Sequence, residues 1–357
     1  MKTYIKFLIN LFTKSFLKIF FIFFVIILVT NILEQIEFFK KIEFSFIYLI
    51  FLSFLNTPSI VFDILPFVFL ISTQIFFINL IDKNELEIFK YNGLNNHKIV
   101  MIIGAYTFIL GLIFIIFFYN FSSILKNSYL VIKNKYTEDS KYLAVITENG
   151  LWIKDEINNR INIINASKVD NEFLLNVSIT QFNNNFDILR IVQSDKVNIT
   201  STTWKVLKPK ILENNSTTEL NEIKIQSNFN LRKINSLFSN LSSLTLFELH
   251  KLRKGYKSLN YSVTEIDSHL YKIITYPLYL TLITIFSSII MFNIGYQKNS
   301  VFKIIFGIFL SVLIYYINNF FNILGTSEKI PLTLSIFFPL IILSIINFIS
   351  IVRLNEK

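Results

Sequence analysis

Six apolar runs, each long enough to cross a bilayer, constrain this chain more than any other feature. They are Phe16–Leu33, Pro58–Ile81, Ile99–Phe121, Leu270–Phe292, Val301–Leu324 and Pro331–Val352. A hydrocarbon core about 30 Å thick needs about 20 consecutive apolar residues in helical form. Composition excludes the soluble alternative. Of 357 residues, 53% are hydrophobic and 16% charged, and Phe alone accounts for 40; soluble domains carry about 25% charge. The absence of cysteine excludes disulfides, zinc–thiolate sites, iron–sulfur clusters and thiol catalysis. Three His and eight Gly argue against a His-rich metal site or a glycine-rich nucleotide loop.

The runs fall three plus three around a polar stretch of nearly 150 residues, so the expected architecture is a six-helix membrane domain with an inserted extracytoplasmic domain. The expected divisions are 1–124, 125–265 and 266–357. No small-x-small cleavage site follows the first run, which favours an uncleaved first helix over a signal peptide. The apolar stretch Phe44–Ile81 is too long for one span; Pro58 and Pro66 divide it into an interfacial helix, Phe44–Asn56, and a second span. Basic residues of the short loops set the orientation. Lys2, Lys6, Lys14, Lys18, Lys83, Lys90, Lys98, Lys298, Arg353 and Lys357 share the side of the termini, against Lys40, Lys41 and Lys329 opposite. The termini are therefore expected in the cytoplasm and the insert outside it. The net charge of +10 is better explained by loop orientation and anionic headgroups than by nucleic acid.

The insert reads as β. Short alternating runs appear at Tyr142–Ile146, Leu151–Ile153, Ile161–Ile163, Leu175–Ile179, Ile188–Val192, Val197–Ile199, Trp204–Leu207 and Ile223–Ile225, separated by Asn, Asp, Ser and Lys. About eight such strands suggest a sandwich, jelly roll or open barrel. A helical pattern follows over Ser242–Tyr261, with Ser243 its candidate cap.

No P-loop, Gly-x-Ser-x-Gly or His-Glu-x-x-His motif is present. His97, His250 and His269 read as surface residues, and Asp63 and Lys272 as interfacial residues near span ends. That leaves no proton relay deep in a span. The loop Asp82–Lys98 carries more information. Asn84 is a candidate cap, Glu85 and Glu87 occupy a first helical turn, Leu86, Phe89 and Lys90 share a face, and Gly93 suits the stop. Residues 84–93 therefore form a short amphipathic helix: either a plain connector or a coupling element that fits a groove on a cytoplasmic partner.

Taken together, these motifs resemble the LptF/LptG permeases of the lipopolysaccharide-export ABC transporter, and LptG more closely. Shared features over nearly the whole length are Pro58 and Pro66 in the second span, the acidic helix Glu85-Leu86 to Gly93, the strand Gly150-Leu151-Trp152-Ile153-Lys154-Asp155, Lys272 followed by Pro277-Leu278, and Ile330-Pro331 with Pro339. The chain departs from the family at Ser335-Ile336-Phe337-Phe338, where members are often Ala/Trp-rich.

The resemblance implies a β-jellyroll insert in the periplasm of an inner-membrane protein. It also implies a permease subunit without catalysis or cofactor, paired with an LptF-like permease and served by an LptB-like ATPase dimer. Lipopolysaccharide would enter through lateral gates, here about 16–33 and 301–324, and pass to an LptC/LptA-like bridge. Glu85, Leu86, Phe89 and Gly93 would couple to the ATPase, and Lys40 and Lys41 would contact lipopolysaccharide at headgroup depth. Two other readings stand against it. A lipoprotein-releasing type of ABC permease usually has four spans, and a membrane-anchored β-domain scaffold or sensor would have neither an ATPase partner nor a lipid path. Charged substitutions at Leu86 or Phe89 are expected to uncouple the ATPase; unchanged copurification of that subunit would count against the coupling role.

Overall fold

A computed structural model describes residues 2–40, 44–134, 136, 151–157, 160–170, 172–183, 186–213, 216–231, 234, 240–258, 262–293 and 300–355. Lys41, Gly150 and the expected strand Tyr142–Ile146 lie outside the described residues. The chain forms two units, residues 1–126 with 264–357, and residues 127–263.

The first unit is helical. Its elements are α1 (Thr3–Phe38), α2 (Phe46–Asp82), α3 (Glu85–Tyr91), α4 (Asn96–Ile113), a π-helical turn (Phe114–Tyr119), and the start of α5 (Asn120–Asn134). After the insert come α7 (Thr264–Asn293), α8 (Ser300–Thr326) and α9 (Leu332–Asn355). Among the described residues, six helical stretches are long and apolar enough to cross a membrane, with α4, the π turn and α5 counting as one.

Phe44–Asn56 is not a separate interfacial helix. The helix α2 runs unbroken through both Pro58 and Pro66. A proline deletes one helical hydrogen bond and frees the carbonyl four residues earlier. Inside a bilayer that carbonyl needs a donor from elsewhere in the protein. For Pro66 the freed group is the carbonyl of Phe62, and the Tyr276 hydroxyl of α7 donates to it. Further along the same helix pair, Ser287 Oγ donates to the Leu70 carbonyl at 2.9 Å. Asn347 Nδ2 of α9 reaches the Leu282 carbonyl of α7 at 2.9 Å.

Polar side chains also join α1 to α2. Asn31 Nδ2 donates to Thr57 Oγ1 at 3.1 Å and Asn56 Nδ2 donates to Asn31 Oδ1 at 3.3 Å, all three residues being buried. Such contacts hold helices together where lipid supplies no hydrophobic drive. Between α4 and α7 the device is a small residue. A Cβ at Gly111 would lie 2.8 Å from the Cα of Pro277, so only glycine permits this approach.

The second unit is an antiparallel β domain followed by a helix. Its strands are β1 (Leu151–Ile157), β2 (Arg160–Asp170), β3 (Phe173–Phe182), β4 (Ile188–Asn198), β5 (Thr203–Leu207), β6 (Lys210–Glu213), β7 (Ser216–Glu219) and β8 (Glu222–Gln226). The sheet order is β1-β2-β3-β4-β5-β8, with β6 on β4 and β7 on β6. The expected strands Ile188–Val192 and Val197–Ile199 are one strand. The reason is a phase flip in β3 and β4, beside a gap in the pairing that extends to β2. Pairing skips Ser167, Asn176 and Asp195, which are adjacent across the sheet, and Asn176 has φ +49°. Core positions accordingly step from Leu174 to Val177 on β3 and from Val192 to Val197 on β4, breaking the two-residue period. Ser167 Oγ, donating to the Leu175 carbonyl at 3.0 Å, supplies a hydrogen bond beside the flip.

The core face carries Leu151, Ile153, Ile164, Ala166, Val177, Ile179 and the fully buried Trp204, whose indole N–H donates to the Phe229 carbonyl at 2.8 Å. Trp152, on the opposite face of β1, is exposed. Asp155 is buried on the edge strand β1. Its carboxylate accepts from Ser227 Oγ at 2.8 Å, from Asn228 N at 3.0 Å and from Asn228 Nδ2 at 2.9 Å. Those acceptances tie β1 to the segment just beyond β8, the other end of the strand order, so one carboxylate links both edges of the sheet. The helix α6 (Leu246–Ser258) then starts at a capping box. Thr245, not Ser243, is the cap: Glu248 Oε2 accepts from Thr245 N at 2.9 Å, and Thr245 Oγ1 accepts from Glu248 N at 3.4 Å.

Asp155→Ala is expected to destabilise the β domain by about 2–4 kcal/mol, since it strips a buried charged acceptor from three donors. Hydrogen exchange on the full-length protein should show faster exchange across β1 and residues 226–229, with the helical unit unchanged.

Candidate functional site

Two places in the helical unit gather chemistry. The first lies where the third span ends and the fourth begins. Asp63 of α2 is within electrostatic reach of Lys126 of α5 and Lys272 of α7. His269 faces the same two lysines, and its Nε2 shares a 3.0 Å hydrogen bond with the Tyr119 hydroxyl. Tyr119 and Tyr276 flank the Phe62 ring at 5.2 and 4.7 Å, the Tyr276 ring stacked at 25°. Asp63 and Lys272 are exposed and Lys126 half-buried. The sequence reading of Asp63 and Lys272 as separate interfacial residues is thus incomplete, and His269 is a half-buried, hydrogen-bonded residue, not a surface one. Lys126 was not singled out at all. A signal was available: His269, Lys272 and Tyr276 are spaced three and four apart and share one face of α7.

These groups can bind an anion. Lysine ammonium groups are compact point charges that suit phosphate or carboxylate oxygens. Lys272 lies eight residues into its helix, about 12 Å from the helix start at 1.5 Å per residue. The apolar body of the spans continues beneath it. Lys40, just past the end of α1, is also exposed.

The second place is α3. Asn84 does not cap it: it has φ +57° and its side chain makes no capping bond. Its C-terminus is a Schellman motif. Gly93 has φ +77°, Gly93 N–H donates to the Lys90 carbonyl at 2.9 Å, and Leu94 N–H donates to the Phe89 carbonyl at 2.9 Å. Leu86 is buried, and the Phe89 ring lies 5.9 Å from that of Phe7 on α1, so this face packs on the protein itself. Ile88 and Tyr91 are exposed on the other side. Glu85 Oε2 is an enclosed oxygen with no hydrogen-bond partner.

The remaining motif residues have structural places. Pro277 seats Gly111, Pro331 immediately precedes α9 and its carbonyl accepts from Ser335 N–H at 3.1 Å, and Pro339 lies within that helix. Of the two helices expected as gates, α1 is held by its asparagine network, whereas α8 is peripheral. In its apolar stretch α8 is 11% buried, against 22% for α1 and 61% for α2.

Six candidate spans interrupted by an antiparallel β domain, with cations at one end of the helices, define a polytopic membrane protein of the permease type. The family model of the lipopolysaccharide export system permease LptF/LptG matches residues 6–353, and the chain belongs to that family. It is a multi-pass inner-membrane permease subunit of the lipopolysaccharide export system, a transport component and not itself an enzyme. None of the curated proteins matches it.

Proposed function

We propose that this chain is the LptG-type half of a heterodimeric permease, and that its Asp63–Lys126–Lys272 cluster receives the anionic headgroup of lipopolysaccharide. The observation that carries the reading is the convergence of Lys126 and Lys272, from two spans, on one rim of an apolar bundle. Acyl chains need the Phe- and Ile-rich walls below, and phosphates need cations at headgroup depth. On this reading Lys40 and Lys41, which follow the first span in sequence, supply further cations for the headgroup. A phosphate arriving there would compete with Asp63 for both ammonium groups, which gives the site a way to release its ligand.

The excess of basic residues in the loops beside the termini supports a cytoplasmic location for both ends, with the β domain in the periplasm. The sequence motif Gly150-Leu151-Trp152-Ile153-Lys154-Asp155 supports the LptG reading by resemblance, and its Asp155 carries the bonds that tie β1 to the segment beyond β8. The partners on this reading are an LptF-like permease, an LptB-like ATPase dimer and an LptC/LptA-like bridge that takes the lipid onward. Residues Glu85, Leu86, Phe89 and Gly93 form the coupling helix, with a division of labour. Leu86 and Phe89 fasten it to the bundle, Gly93 ends it, and Ile88, Tyr91 and the Glu85 carboxylate meet the ATPase. The first and fifth spans, about 16–33 and 301–324, act as lateral gates, and the sparse burial of α8 supports it as the looser of the two.

Lys126→Glu and Lys272→Glu, made singly in the intact permease complex, are each expected to lower lipopolysaccharide photocrosslinking from a probe at position 40 about tenfold. That corresponds to about 1.4 kcal/mol, the size of one charge-assisted contact. Unchanged crosslinking in both variants would remove the cluster from the substrate path.

A further inference from the structure

Among the described residues, the carbonyl that Pro66 frees accepts a hydrogen bond from Tyr276, on the span carrying Lys272. Pro66 has no N–H for the Phe62 carbonyl. Tyr276 both donates its hydroxyl to that oxygen and stacks its ring on the Phe62 ring. Phe62 is the residue before Asp63, and Tyr276 is one helical turn after Lys272. The bond therefore joins the two helices beside the pair of opposite charges they carry. Beyond Pro66, Ser287 of the same span holds the Leu70 carbonyl at 2.9 Å. The fourth span thus grips α2 on both sides of its proline, one grip next to Asp63 and the other on the arm that leads into α3.

We propose that Tyr276 is a positioning residue for the Asp63–Lys126–Lys272 cluster. Its hydroxyl occupies the carbonyl left open by Pro66, fixes the bend of α2 there, and so sets the separation of Asp63 from Lys272. Releasing that one bond frees the bend while Ser287 keeps the inner arm on α7. A push on α3 then changes the spacing of the charges at the far end of α2. The purpose of this hinge rests on the cluster being the headgroup site, but the hinge itself is measured with no lipid present.

The test uses the cysteine-free full-length chain in detergent, with spin labels at Phe51→Cys and Asp82→Cys, one on each arm of α2. Tyr276→Phe removes the hydroxyl and keeps the ring. It is expected to broaden the inter-label distance distribution and lower the unfolding temperature. Pro66→Ala restores a backbone N–H, which serves the Phe62 carbonyl from within the helix. In that background Tyr276→Phe is expected to change neither quantity. The proposal is overturned if Tyr276→Phe leaves the distances unchanged in the parent, or if it broadens them equally in the Pro66→Ala background. The second result would mean that the hydroxyl acts through general packing and not through the proline-freed carbonyl. Both results are independent of the crosslinking outcome for Lys126→Glu and Lys272→Glu.

Discussion

A hydrocarbon core offers no water to a carbonyl or an amide, and the bonds between this protein's spans answer that lack. Two prolines inside α2 would be no more than bends in a soluble helix. Here the carbonyl freed by Pro66 is served from another span, by Tyr276. The same demand places Ser287 on the Leu70 carbonyl and Asn347 on the Leu282 carbonyl. Asn31 and Asn56 pair with each other and with Thr57 for the same reason. Such bonds contribute about 0.6 kcal/mol each on average in membrane bundles. Their larger effect is geometric, because each one fixes which helices meet and at what height.

That geometry bears on function because helices positioned in this way bring charges together. Asp63, Lys126 and Lys272 belong to three different spans, and no pair of them is near in sequence. A lone lysine at a span end snorkels to the interface and needs no explanation. Two lysines facing one carboxylate above an apolar bundle form an arrangement suited to a lipid with acidic head and greasy tails. The short helix α3 lies at the other end of α2, with Leu86 buried and Phe89 against Phe7. A push on α3 would therefore reach both the second span and the first.

The spans were legible because length and hydropathy are one-dimensional signals. Continuity through Pro58 and Pro66 was not, since the donor that repairs Pro66 lies 210 residues away in sequence. In the β domain, alternation located β1, β2, β3, β5 and β8. It split β4 in two because the flip at Asp195 moves the apolar set to the other phase, a change imposed by the neighbouring strands. The hairpin of β6 and β7 escaped notice because Ser216-Thr217-Thr218-Glu219 is exposed throughout and carries no apolar alternation. The site was half legible. Lys40 and Lys272 stood out as cations near span ends, whereas Lys126 and His269 acquire meaning only from the helices they face. At α3 the sequence identified an amphipathic helix and its Gly93 stop, but the apolar face turned inward, because Leu86 and Phe89 find cover on the bundle.

The central claim is that this permease subunit moves lipopolysaccharide out of the inner membrane. Depleting the protein in cells, then separating inner and outer membranes and quantifying newly made lipopolysaccharide in each, tests it most directly. The account predicts that new lipopolysaccharide accumulates in the inner-membrane fraction as the protein disappears. Normal delivery to the outer membrane after complete depletion would contradict it.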